Sequence, residues 1–203
     1  MAKHYDQAYF DRWYRDPKHT QWRTADVARK VRMVLGLAEY LLDRNVRSVL
    51  DVGCGEGTWQ PILKKLRPRI SYLGIDGSDY AVERFGRARN IIKGSVGKLE
   101  ALGIRRRFDL VVCCDVLHYV PTPEVRSALL AISGFTRGPA YLEAYTSSDD
   151  VSGDHDHFQQ RSPAAYRALF REAGFTQAGP HMYVVPDMAR AMVELEKPLR
   201  PAR

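Results

Sequence analysis

Val49-Leu50-Asp51-Val52-Gly53-Cys54-Gly55-Glu56-Gly57 reads as a buried parallel strand running into a loop with glycine at every second position. The residues that follow, Thr58 to Leu66, can start a helix, with Pro61 tolerable because it falls in the first turn. Glycine turns the chain sharply after the strand and lets backbone N–H groups approach a ligand without a Cβ in the way. A crevice beyond the carboxyl end of such a strand is where α/β sheets bind ligands.

Spacing narrows the ligand. A dinucleotide fingerprint would want its third glycine at position 58, where Thr58 stands. Asp51 lies two residues ahead of Gly53, and a carboxylate there suits an ammonium group and would repel a pyrophosphate. A second strand, Ile70-Ser71-Tyr72-Leu73-Gly74-Ile75, ends in Asp76. An acid about 20 residues beyond the glycines is the usual device for holding ribose hydroxyls. An amino-acid head joined to a ribose describes S-adenosylmethionine.

Two further motifs keep the same order. Gly74-Ile75-Asp76-Gly77-Ser78 and Phe108-Asp109-Leu110-Val111-Val112-Cys113-Cys114-Asp115-Val116-Leu117-His118 follow the glycine loop. With these three, the chain resembles the class I S-adenosylmethionine-dependent methyltransferases of small-molecule type, over roughly residues 46–197. The resemblance implies a Rossmann-like α/β fold: a doubly wound, mostly parallel seven-stranded sheet with an antiparallel last strand and helices on both faces. It implies an enzyme that moves a methyl group to a small-molecule acceptor, on oxygen or nitrogen. The cofactor residues it implies are Asp51, Gly53, Cys54, Gly55, Asp76, Gly77, Ser78, Ser95, Val96, Cys114, Asp115 and Val116. One departure stands out: where the family shows an Asp for the adenine amino group after strand three, this chain has Ser95 and Val96. An RNA or protein methyltransferase, or a cofactor-binding protein without turnover, are the competing readings.

Methyl transfer needs a base only if the acceptor loses a proton. His118 and Tyr119 follow strand four, and His155 and His157 lie in the polar loop Thr146 to Arg161; His118, Tyr119 and either His155 or His157 are the catalytic candidates. A histidine bonded to backbone at a helix start is the bland alternative for His118. The Asp154-His155-Asp156-His157 run could bind a divalent ion, but alternation in a loop fixes no geometry, and a substrate-facing loop is the expectation.

The 203 residues suit one domain, with 1–45 an N-terminal helical extension and 46–197 the core. Tyr5, Tyr9, Phe10, Trp13 and Tyr14 have helical spacing, and either dock on the core or form a lid. Arg23 could meet the methionyl carboxylate or lie on the surface. Thr24 to Arg44 carries a clean helical stripe. Ser78 or Asp79 caps a helix to about Ala88, and Thr122 and Ser162 each cap one before a proline. Phe175 to Pro186 reads as strand six, and Met192 to Glu196 as the antiparallel last strand or a helix. The net charge of +7 is spread over groups such as Lys64-Lys65 and Arg105-Arg106-Arg107, which speaks for solvated surface and against a nucleic-acid partner. No stretch spans a membrane, and three cysteines on core strands or the ligand loop point to free thiols and a cytoplasmic setting. The oligomeric state is not legible, and a homodimer is compatible with the sequence.

Overall fold

The computed structural model describes residues 4–19, 24–151 and 153–197. Five parallel strands form the centre: β1 (Ser48–Val52), β2 (Ser71–Asp76), β3 (Ile91–Lys93), β4 (Leu110–Cys114) and β5 (Pro139–Glu143). Two more, β6 (Thr176–Gly179) and β7 (Met182–Val184), complete the order β3-β2-β1-β4-β5-β7-β6. β7 runs antiparallel to both neighbours. The direction of progression reverses between β1 and β4, which opens a crevice at their carboxyl ends.

β1, β4 and β5 are buried almost end to end, as apolar strands covered on both faces must be. One face packs Leu50, Val52, Val111, Cys113 and Leu142 against α5 (Thr122–Phe135) and α6 (Pro163–Glu172). The other packs Val49, Val112 and Tyr141 against α2 (Thr24–Leu42) and α3 (Trp59–Leu66). The apolar stripe of α2 supplies Val31, Val34, Leu35 and Ala38 to this second core. Adjacent Cys113 and Cys114 pack on opposite faces, as the two-residue strand period demands, and all three cysteines are free thiols. Among the described residues no helix is long and apolar enough to cross a membrane.

Three expectations are corrected. Phe175 to Pro186 is not one strand: the chain reverses at Pro180 and His181, the latter in the left-handed region, so the segment is the β6–β7 hairpin. The antiparallel strand is therefore Met182–Val184; α7 (Pro186–Ala191) follows it, and Met192–Glu196, expected as that strand or a helix, holds a 3-10 helix over Glu194–Glu196. Thr122 does not cap α5; it is the first helical residue, and its hydroxyl instead accepts from Arg161 Nε at 2.9 Å. Ser162 and Ser78 do cap, accepting from Ala165 and Ala81 N–H. At the amino end α1 (Gln7–Phe10) widens into a π turn over Asp11–Arg15, closed by the Asp16 N–H on Asp11 at 3.0 Å and ended before Pro17.

Members of both basic groups have structural partners. Arg67 pairs with Glu39, Lys64 donates to the Ile70 carbonyl at 2.5 Å, and Arg106 lies over the Phe108 ring.

Candidate active site

A chamber of about 920 Å³ opens at the carboxyl ends of β1, β2 and β4 and runs under the N-terminal segment. Its volume is that of a site for a cofactor and a small ligand together. Gly53, Gly55 and Gly57 all have positive φ. A Cβ on Gly53 would strike the Val116 side chain, and one on Gly55 the Tyr14 hydroxyl, so the loop lies close against its neighbours.

Asp76 organises this loop. One carboxylate oxygen accepts from the Gly55 N–H at 2.7 Å and the other from the Ser78 N–H at 2.8 Å. Burial raises its carboxyl above the ordinary range even so. Asp51 is 3% exposed and accepts the Tyr72 hydroxyl at 2.7 Å. Burial lifts it to about 7 against that hydrogen bond, and the Asp76 charge adds to the rise. Two carboxylates whose ionised forms are disfavoured when the crevice is bare are a receptor for positive charge and hydroxyl donors.

Of the cofactor candidates, Asp51, Gly53, Cys54, Gly55, Asp76, Gly77, Ser95, Val96, Cys114, Asp115 and Val116 line the chamber. Ser78 does not. Its hydroxyl donates to the Tyr5 carbonyl at 2.5 Å, tying the N-terminal segment to the second strand–helix junction. Tyr119 lines the chamber and its hydroxyl donates to the Asp154 carbonyl at 3.0 Å; burial holds its pKa well above the ordinary value, so the group is a neutral phenol. His118 is fully buried behind the chamber wall, with Nδ1 accepting from the Tyr145 N–H at 3.3 Å and Nε2 3.3 Å from Asp115 Oδ1. His157 is exposed and outside the chamber lining. Arg23 lies outside the described residues.

Several lining groups left no trace in the sequence. Lys30, from α2, meets Glu143 at the end of β5 (Nζ to Oε1 2.6 Å) and Cys114 Sγ at 3.7 Å. Burial works against the Lys30 ammonium, yet Glu143 keeps it above its ordinary value. Glu124, from α5, packs its carboxylate over Gly97, next to Ser95 and Val96. It offers the acidic group missing after β3. Helical spacing marked Tyr14, but nothing local showed that its hydroxyl would sit on Gly55.

Residues 50–137 match the model of a family described as Methyltransferase domain. The fold resembles many solved structures. DesVI from Streptomyces venezuelae has a TM-score of 0.63 at 16% identity, covering 79% of this chain and 92% of that one. The plantazolicin methyltransferase BamL, solved with a triazolic desmethylPZN analog and SAH, has 0.60 at 14%, covering 73% and 62%. An O-methyltransferase family protein from Burkholderia thailandensis has 0.53 at 16%, covering 79% and 56%, so the chain spans little more than half of that relative. Identities this low establish likeness of fold alone. No curated protein matches the sequence. The matched segment, the strand order and the glycine-loop crevice make this part of the chain similar to a methyltransferase domain.

Proposed function

We propose that the chamber binds S-adenosylmethionine along the glycine loop and that the chain passes its methyl group to a small molecule held beneath the N-terminal segment. One observation carries this reading. The glycine loop, Asp51 and Asp76 share a single chamber with a vault of Tyr5, Tyr9, Trp13, Tyr119 and Tyr145. In it, Asp51 answers the amino-acid ammonium and Asp76 the ribose hydroxyls, with Gly77, Ser95, Val96 and the Glu124 carboxylate around the adenine. The backbone of Cys114, Asp115 and Val116 flanks the methionyl part. When bound, the sulfonium supplies an electrophilic methyl group, and the protein adds position and exclusion of water.

Residues 4–16 act as a lid in this reading. Phe10 is buried against Tyr9, Tyr14 and Tyr80, and Arg15 Nη2 meets Glu56 Oε1 at 2.5 Å. A lid roofed with aromatic rings over a chamber of this size suits a small acceptor better than a polymer. The test is to supply the protein with methyl-labelled S-adenosylmethionine and, separately, the small-molecule, RNA and protein fractions of a cell extract. Label in the small-molecule fraction is the expected result; label confined to RNA or protein would overturn the acceptor assignment.

A further inference from the structure

We propose that the acceptor is an amine, received as its ammonium ion by the Asp115 carboxylate among the tyrosines of the vault. This deepens the methyl-transfer reading above and rests on it.

Charge is the first argument. The chain is +7 overall, yet among the described residues lining the chamber seven carboxylates face three cations. Each cation has a partner: Arg15 on the Glu56 carboxylate, Lys30 on Glu143, and Arg89 on the Glu56 backbone carbonyl at 2.6 Å and over the Phe85 ring at 4.4 Å. Asp51 and Asp76 serve the cofactor, and Glu124 sits at its adenine end. Asp115, Asp150 and Asp154 line the rest. The cofactor carries one net positive charge, so the chamber stays negative after it binds. Such a site concentrates cations and repels carboxylates and phosphates.

The geometry of Asp115 is the second argument. It follows β4 with φ +62°, a left-handed backbone that is costly for a residue with a side chain. Its N–H donates to the Glu143 carbonyl at 3.1 Å, which holds that conformation, and its side chain is about a third exposed, into the chamber. Behind it stands His118, with no exposure. The Tyr145 N–H on Nδ1 leaves the proton on Nε2, 3.3 Å from Asp115 Oδ1, and Nε2 has no aligned hydrogen-bond acceptor among the described residues. A strained carboxylate backed by a buried imidazole N–H is held for a ligand on its open side. His118 is a positioning residue here.

The walls are the third. The charge of Asp115 reaches the phenols of Tyr5, Tyr14, Tyr119 and Tyr145, all of which remain neutral because burial, with the neighbouring carboxylates adding, raises them. Neutral tyrosine faces attract ammonium ions, and their oxygens accept N–H bonds.

An ammonium nitrogen has no lone pair. The Asp115 carboxylate takes one of its N–H protons. The freed pair then forms the N–C bond to the sulfonium methyl in line, as the C–S bond breaks and its electrons pass to sulfur. The products are the N-methylated ammonium and S-adenosylhomocysteine, and the proton leaves Asp115 for solvent.

The test has two arms, run on the wild-type chain and Asp115→Asn, a change that keeps shape and tolerates the left-handed region. The first identifies the product labelled from methyl-labelled S-adenosylmethionine and a small-molecule extract. The second titrates the S-adenosylhomocysteine-loaded protein with choline and with dimethylbutanol, its neutral carbon isostere. We expect a labelled product with a basic nitrogen, and choline bound at least about tenfold more tightly than the alcohol. With S-adenosylhomocysteine held at saturation for each protein, Asp115→Asn should abolish that preference. A neutral or acidic methylated product, or no preference for choline, overturns the amine inference and leaves the methyl-transfer reading standing. No transfer to any small molecule overturns that reading itself.

Discussion

The hydroxyl of Tyr72 donates to the Asp51 carboxylate at 2.7 Å at a point where both residues are 3% exposed. The bond orients Asp51 towards the crevice but does not offset its burial, and the carboxyl titrates at about 7. A folded value above the ordinary one contributes stability that is complete below about pH 4 and lost as pH rises through 7. Asp51→Asn keeps an acceptor for Tyr72 and removes the charge. The variant without ligand should be more stable than wild type at pH 8, by at most about 4 kcal/mol, with the gain vanishing towards pH 4. The same variant should bind S-adenosylmethionine at least about tenfold more weakly at pH 8. Thermal melts and calorimetry across pH 4–8 check both. A variant less stable than wild type at pH 8 would refute the assignment.

Asp76 joins two elements through one side chain, the glycine loop by Gly55 N–H and the start of α4 (Asp79–Arg89) by Ser78 N–H. Removing it loosens the cradle and would delete the proposed ribose contact. Asp76→Ala should weaken S-adenosylmethionine binding by about 1–3 kcal/mol, read by calorimetry on a variant whose circular dichroism matches wild type. Unchanged affinity would remove Asp76 from the cofactor's contacts.

What the sequence carried was local. Strands β1, β2 and β4 announce themselves because burial on both faces demands unbroken apolar runs, and Asp51 and Asp76 because their distance from the glycines is fixed along the chain. The β6–β7 hairpin was hidden because its strands have only four and three residues, too short for a period to show, and Gly179-Pro180 looked like an irregularity inside one strand. Met188, Met192 and Leu195 have helical spacing, yet of the three Met192 alone is buried and Leu195 is fully exposed, so the core fixes one position of that pattern. Lys30 and Glu143 are 113 residues apart, and no local rule joins them. His118 was visible as a histidine near strand four, but its burial behind Asp115 depends on the Tyr145, Phe158 and Tyr119 rings that surround it.

Asp109 tests the acid side of the stability curve. It immediately precedes β4 with no exposure and accepts from Arg44 (2.8 and 3.1 Å), the Arg47 N–H (2.8 Å) and Arg137 (2.6 and 3.1 Å). Burial pushes its carboxyl up, but these donors outweigh it and hold it well below the ordinary carboxylate range. A depressed folded value contributes stability above about pH 4 that is lost as pH falls below it. Asp109→Asn should cost about 1–3 kcal/mol at pH 7 and flatten the loss of stability between pH 5 and pH 3. Urea unfolding at several pH values measures both, and an acid limb as steep as that of wild type would show the carboxylate to be unimportant there.

Among the described residues the N-terminal segment touches the core through the Tyr5 carbonyl on Ser78, the buried Phe10 ring, the Tyr14 hydroxyl at Gly55 and Arg15 on Glu56. Of these, Glu56 matters most to the closed form, since it is 6% exposed and Arg15 is the cation that meets its side chain. None of these contacts is made by the Asp51 or Asp76 side chain, the two groups on which cofactor binding is proposed to rest. Deleting residues 1–16 should therefore change S-adenosylmethionine affinity by less than about tenfold while lowering turnover on the true acceptor by far more, because a lid excludes water and completes the acceptor site. Arg15→Ala should fall between, with KM for the acceptor rising more than kcat drops. Steady-state kinetics beside calorimetry separate the two effects. If the truncated chain turns over at the wild-type rate, the segment is packing for the core and closes nothing.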